Sequence, residues 1–360
     1  MSRNIENLWL HRFAVVTAFA TLLLICVGGV VTSKGVGMAV PDWPTTYGYN
    51  MFLFPISKWV GGIFYEHTHR LVASAVGLLT VILATWLWLK ESRRWLRWLG
   101  IAAVVAVILQ GVLGGLRVTQ LKDELGIFHA ALAQSFFVLV SAIALFTSRR
   151  WLNAVKWPVA RATGLGQLYW LATGLIFLQL VIGATMRHQH AGLAISDFPL
   201  AHHQIWPAVD STSIARYNQE RLEVTAMNSI TAFQVILQMV HRIVAVLILV
   251  AVLWAGAASK RRLGSKAPLT KLSLAWCSLI VVQAMLGATT IWTNKSADIA
   301  TAHVAIGALG FMTGTMMILL AHRCLEEVCA TAESFERSPA PVTRDRQGVT
   351  APRSTDPLTT

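Results

Sequence analysis

The sequence predicts an all-α integral membrane protein, with eight transmembrane helices arranged as two tandem, parallel-repeat four-helix bundles. Three observations predict it. Of the 360 residues, 55% are hydrophobic and only 13% charged, whereas soluble globular chains carry roughly 25% charged residues. Eight apolar segments, at 13–33, 64–89, 98–118, 126–148, 165–186, 229–257, 272–293 and 299–321, are long enough to cross a hydrocarbon core of about 30 Å. Polar signatures inside these segments occur twice, once in each half of the chain.

The first apolar run has no small-residue cleavage site and reads as a retained helix. It carries Val27-Gly28-Gly29 and leads into a long loop, 34–63, with Pro41-Asp42-Trp43-Pro44. The second run opens on Glu66-His67-Thr68-His69-Arg70, the third carries Gln110 and Gly114, and the fourth begins near His129. The same order then returns. Val181-Ile182-Gly183 in the fifth run precedes a second long loop, 187–228, with Ser196-Asp197-Phe198-Pro199, at offsets of 154 and 155. The sixth run has Gln238-Met239-Val240-His241-Arg242 at an offset of 172, the seventh has Gln283 and Gly287, and the eighth has His303 at an offset of 174. Residues 1–157 and 158–322 are therefore expected to be two modules of the same orientation, since four crossings are an even number. The Pro-, Ser-, Thr- and Arg-rich tail within 323–360 lacks periodicity and reads as disordered.

The net charge of +13 does not point to nucleic acid, because the basic residues fall between apolar runs. Thirteen lie in the three short even-numbered loops and eight in the longer odd-numbered ones, which places both termini in the cytoplasm of a bacterial inner-membrane protein. The four cysteines form no Cys-x-x-Cys or Cys-x-x-Cys-His motif, so neither a zinc site nor covalent heme attachment is expected.

Ionisable side chains at membrane depth are costly and mark function. Helices 2, 4, 6 and 8 all enter from the side of the long loops. His69, His129, His241 and His303 each lie in the first turns of one of them, at a common depth. Helices 2 and 4 of a module face each other across the bundle, where cofactors are built, and two imidazoles suit the axial positions of one heme iron. The competing reading is a set of polar interhelical contacts; repetition at equivalent depth favours ligands. Arg70 and Arg242 are candidates for contacts with heme propionates, against a snorkelling role. Gly29, Gly114, Gly183 and Gly287 permit close approach, and Gln110, Gln179 and Gln283 read as interhelical hydrogen-bonders. His188, His190, His202 and His203 read as solvated loop histidines, with a metal site in that loop as the alternative. The halves differ at Glu66 and Gln238: only the first can take up a proton. Glu66 thus reads as a reactive carboxylate, or else as a helix-start acid favoured by the dipole.

At these residues the chain resembles the heme A synthase family, over nearly all its length to about residue 322. The resemblance rests on Gly-Gly in helix 1, Glu66 through Arg70, His129, His241-Arg242 and His303. It implies that His69 and His129 flank heme O as substrate and heme A as product, that Glu66 is catalytic, and that His241 and His303 ligate a resident heme b. The implied reaction oxidises the C8 methyl of heme O to a formyl group for cytochrome oxidase biogenesis. Implied partners are heme O synthase, oxidase assembly factors and an external electron-transfer partner, beside membrane lipid. Loop 34–63 has no cysteine pair, which matches the cysteine-free class. Two rivals stand against this: a diheme b-type electron-transfer protein, and a transporter, which the parallel repeat disfavours.

Overall fold

The computed structural model describes residues 7–153, 164–222 and 229–336. Eight helices are long and apolar enough to cross a membrane: α1 (Leu8–Ser33), α2 (Gly61–Lys90), α3 (Arg94–Gln120), α4 (Asp123–Phe146), α6 (Leu165–His188), α8 (Ala232–Leu263), α9 (Pro268–Trp292) and α10 (Ala297–Glu336). Two shorter helices, α5 (Arg149–Leu152) and α7 (Ser211–Leu222), lie in connections. The helices outrun the apolar segments at many of their ends, because polar flanking residues continue a helix into the interface without raising hydropathy. At α8 the start is instead set by a capping box of Thr231 and Gln234, three residues inside the expected boundary. The stretch 323–336, expected as part of a disordered tail, is helical as the end of α10; its Leu, Glu and Ala residues are strong helix formers. The remainder of that tail and the expected module boundary at 157–158 lie outside the described residues.

Packing repeats in the same order in both halves. α1 packs on α2, α2 on α3, α3 on α4 and α4 back on α1; then α6 on α8, α8 on α9, α9 on α10 and α10 back on α6. Each half is a closed ring of four, which sets α2 across from α4 and α8 across from α10. The rings join through α1 against α10 and α4 against α6.

The larger apolar cores fill the end of each ring away from the long loops, and in the second half a smaller core of Ala194, Ile195, Ala201, Tyr217, Ile230, Val235 and Met239 lies at the loop-side end. Leu83, Leu87, Leu96, Ala103, Val140 and Ile143 form the larger core in the first ring. Tyr169, Ile248, Val252, Trp276, Ile280 and Met317 form it in the second. The four histidines all fall in the opposite, loop-side end. The larger core of the second ring is keyed by Trp276, which is fully buried. Its indole N–H donates to the Gly310 carbonyl at 2.8 Å, and a Cβ on Gly314 would lie 2.7 Å from its ring. Trp276→Ala removes both the packing and the hydrogen bond. We expect a loss of about 3–5 kcal/mol, read as a lower thermal midpoint of the detergent-purified protein.

Candidate functional site

Each of the four histidines rests on a glycine of the preceding spanning helix. A Cβ on Gly28 would stand 3.0 Å from Cε1 of His69, on Gly114 3.2 Å from Cε1 of His129, on Gly183 3.4 Å from Cε1 of His241, and on Gly287 3.1 Å from Cε1 of His303. A side chain at Gly28, Gly114 or Gly287 would crowd the ring, which would have to give by a few tenths of an ångström, and at Gly183 even a methyl would already touch it. This corrects one correspondence: the partner of Gly183 is Gly28, at the loop offset of 155, whereas Gly29 faces Thr301 of α10. Adjacent glycines on one helix point to different neighbours, which a sequence alignment cannot separate.

The glutamines brace the same helices. Gln110 Nε2 donates to the His129 carbonyl and Gln179 Nε2 to the His241 carbonyl, both at 2.9 Å. Gln283 differs, its main-chain carbonyl lying 3.1 Å from His303 Nδ1. Across the second ring, the His241 and His303 ring centres are 6.5 Å apart and tilted by 58°. Two metal–imidazole bonds of about 2 Å, with half a ring on each side, add to about the same length. In the first ring His69 and His129 lie close enough to interact electrostatically. Nδ1 of His69, His129 and His241 is buried without a hydrogen-bond partner among the described residues, a costly state for an imidazole unless another group meets the ring. Among the described residues no group of three or more His, Cys, Asp or Glu could hold a metal by itself. The donor set fits a metal whose other ligands belong to a flat macrocycle.

Over the histidines each long loop is latched to its helix in the same way. Val40 N–H donates to Glu66 Oε2 at 2.8 Å, and Ile195 N–H to Gln238 Oε1 at 2.7 Å. Arg70 donates to the carbonyls of Val40, Asp42 and Thr45, and Arg242 to those of Asp197 and Leu200. Asp42/Asp197 and Thr45/Leu200 are counterparts at an offset of 155. Both arginine forks are therefore turned to the loops, where the sequence suggested propionates. Glu66 and Gln238 are 4% and 2% exposed, so both amount to buried loop latches. They differ on their second atom: Glu66 Oε1 accepts from Arg70 Nη2 at 2.9 Å, while Gln238 Nε2 donates to the Ile195 carbonyl at 3.1 Å.

His67, beside Glu66, is fully buried. Its Nδ1 lies 3.3 Å from Thr46 Oγ1, and its ring is held between Phe54 and Trp59. The second half has Met239 in that place. His188 is buried against Gly126 and His202 stacks on Tyr217 at 3.7 Å, so neither is a solvated loop histidine. His190 and His203 are exposed as expected.

The chain matches a known family over most of its length. The profile of the cytochrome oxidase assembly protein family covers residues 11–315. The chain belongs to this family. Among its relatives, proteins named heme A synthase from Alkalihalophilus pseudofirmus and Shouchella clausii are 30% and 32% identical, over 58% and 57% of this chain and 69% and 68% of theirs. The heme A synthase of Halalkalibacterium halodurans is 24% identical over 87% of this chain and 99% of its own.

The loops also carry a pH-dependent element. Asp42 accepts from the N–H groups of Tyr47 and Gly48 and from Thr45 Oγ1, and Asp197 from the N–H groups of His202 and His203. Tyr47, Gly48, His202 and His203 all have left-handed φ, and the aspartates tie down the donors of these turns. Partial burial opposes ionisation of both carboxyls, but the backbone donors outweigh it and hold each below its ordinary pKa. A depressed folded-state value stabilises the loops above the unfolded value near about 3.9 and ceases to do so as pH falls through the folded value. Protection of the loops from an acid-active protease should thus stay flat from neutral pH to about 5 and fall below about 4. Asp42→Asn should remove that acid step in the first loop.

Proposed function

We propose that this family member is a heme A synthase, which oxidises the C8 methyl of heme O to a formyl group. In this reading His69 and His129 hold the substrate porphyrin, and His241 and His303 hold a resident heme b. The observation that carries the reading is the pair of facing imidazoles 6.5 Å apart, repeated in kind by the first ring with its own glycine seats. The resident heme would supply one-electron redox capacity beside the reaction site. The substrate methyl is taken through two hydroxylations, each drawing its oxygen from water; the second gives a geminal diol that loses one water, and the four electrons and four protons released overall go to an external acceptor system and to solvent. The four histidines would hold the porphyrin irons, the latched loops cover the histidines, and in the first ring alone the latch is a carboxylate. Glu66 lies three residues before His69, on the same helix face, and we assign it to proton handling. Arg70 and Arg242 we assign to loop closure. Eight crossings bring both ends of the spanning region to one side, and the distribution of basic residues assigns that side to the cytoplasm of a bacterial inner membrane.

One observation serves a second reading, a diheme electron carrier: Glu66 and Gln238 accept the equivalent loop N–H. The same fact makes the discriminating experiment clean. Gln238 demonstrates that a glutamine can hold the loop, so Glu66→Gln keeps the latch and removes the proton-handling group. Heme A formation in a heme O-producing host should fall by at least about 100-fold, with heme content unchanged. Wild-type yields of heme A would leave the carrier reading in place. His241→Ala and His303→Ala should each remove the low-spin b-type absorption from the purified protein, and an unaltered spectrum would reject the second-ring assignment.

A further inference from the structure

Two arginines stand about one turn further toward the loop end than the glycines that seat the histidines. Arg117 follows Gly114 by three residues on α3, and Arg187 follows Gly183 by four on α6, spacings that keep a side chain on the same face. At about 1.5 Å of rise per residue they lie about 5 Å beyond the seats of His129 and His241.

Both converge on the loop end of α1. Arg187 Nη2 donates to the Gly29 carbonyl at 2.6 Å and to Ser33 Oγ. Arg117 Nη1 lies 2.9 Å from where a Cβ on Gly37 would stand, and Val31 lines the same spot. The chain folds back here, with Val36 N–H donating to the Val31 carbonyl at 3.1 Å, so Gly29, Ser33 and Gly37 share one corner. Gly28, next to Gly29, seats His69. Lys295, in the turn between α9 and α10, rests on Gly192 just beyond the end of α6. Electrostatically, Arg187 is a neighbour of Arg117, Lys295 and His303, and Arg117 of His69 and His129.

Three cations gathered at one corner repel one another, and they lie on the side that membrane topology disfavours for basic residues. The arginines are also single features in a doubled framework. Thr32 stands at the place of Arg187 in α1, and Thr290 at the place of Arg117 in α9. Arg70 and Arg242, which are doubled, are committed to the loops. The unduplicated pair therefore serves the seam between the rings rather than the shared loop latch.

We infer that Arg117, Arg187 and Lys295 form one carboxylate-binding cluster at the seam between the rings, taking the propionate edges of the porphyrins held by the two histidine pairs. This inference rests on the proposed function. Arginine suits it because its planar fork matches a carboxylate in a two-bond geometry. A shared clamp would bring both porphyrin edges to the same corner, between the two iron sites.

The test uses full-length protein purified without heme and titrated with iron protoporphyrin IX or with its dimethyl ester, which lacks both carboxylates. The wild type should bind the free acid at least about tenfold more tightly than the ester. Arg117→Gln and Arg187→Gln should each reduce that preference while keeping the low-spin bis-imidazole spectrum, and the double variant should abolish it. Arg187→Lys, which keeps the charge, should retain part of it and guards against a folding defect. A wild-type preference in the double variant would overturn the cluster and leave the proposed function standing. Loss of the preference on adding phosphatidylglycerol would assign the corner to a lipid phosphate, and would also overturn it. A wild type that gives no bis-imidazole spectrum with either porphyrin would instead remove the proposed function on which the cluster depends.

Discussion

The structure is governed by the demand that imidazoles buried in an apolar bundle must face a partner. A buried polar atom left unpaired is costly, and four histidines at one depth multiply that cost. The fold answers with seats: a glycine beneath each ring brings the helices close, and among the described residues a hydrogen-bond partner on the protein is present for the Nδ1 of His303 but not for those of His69, His129 and His241. The closed order of packing then sets α2 across from α4 and α8 across from α10. With the larger apolar cores at the far end of each ring, the histidine end is shaped by rings, glycines, latched loops and, in the second half, a smaller apolar cluster under the loop. Removing any one of these elements would leave the others without purpose.

The latches explain how one framework supports two sites of different character. A loop N–H, a buried oxygen on the following helix and an arginine fork recur in both halves. The buried oxygen belongs to a carboxylate in one ring and an amide in the other. Scaffolding is thus conserved between the halves while charge is varied. Around the histidines the halves differ in titratable and charged groups at Glu66 and His67 against Gln238 and Met239, and at Arg117 and Arg187 against threonines. Differences between duplicated halves are where a shared fold acquires separate chemistry.

Much of this was legible in the residues. Hydropathy delimits the eight spanning helices because the cost of exposing polar groups to lipid acts on each segment independently. The repeat of His, Gly and Gln at near-constant offsets locates the site because depth in a membrane helix follows from distance along the chain. Facing of helices 2 and 4 follows from short connections between antiparallel neighbours. Along the chain Arg117 and Arg187 read only as two of the eight basic residues of the odd-numbered loops, since nothing in the sequence says that they join one corner. Their spacing from Gly114 and Gly183 was the available signal, and it acquires meaning only once those glycines are known to seat histidines.

What the sequence determined alone was therefore everything governed by local hydropathy and by periodicity: the eight helices long and apolar enough to cross a membrane, the recurrence of His, Gly and Gln along the chain, and the place of each imidazole along its helix. The tertiary structure decided where side chains of similar depth point. It turned Arg70 and Arg242 to loop carbonyls, gave Gly28 rather than Gly29 to His69, buried His188 and drew two unduplicated arginines to the seam. The physical reason is that height along a helix is set by covalent geometry, whereas direction around it is set by which neighbour packs there.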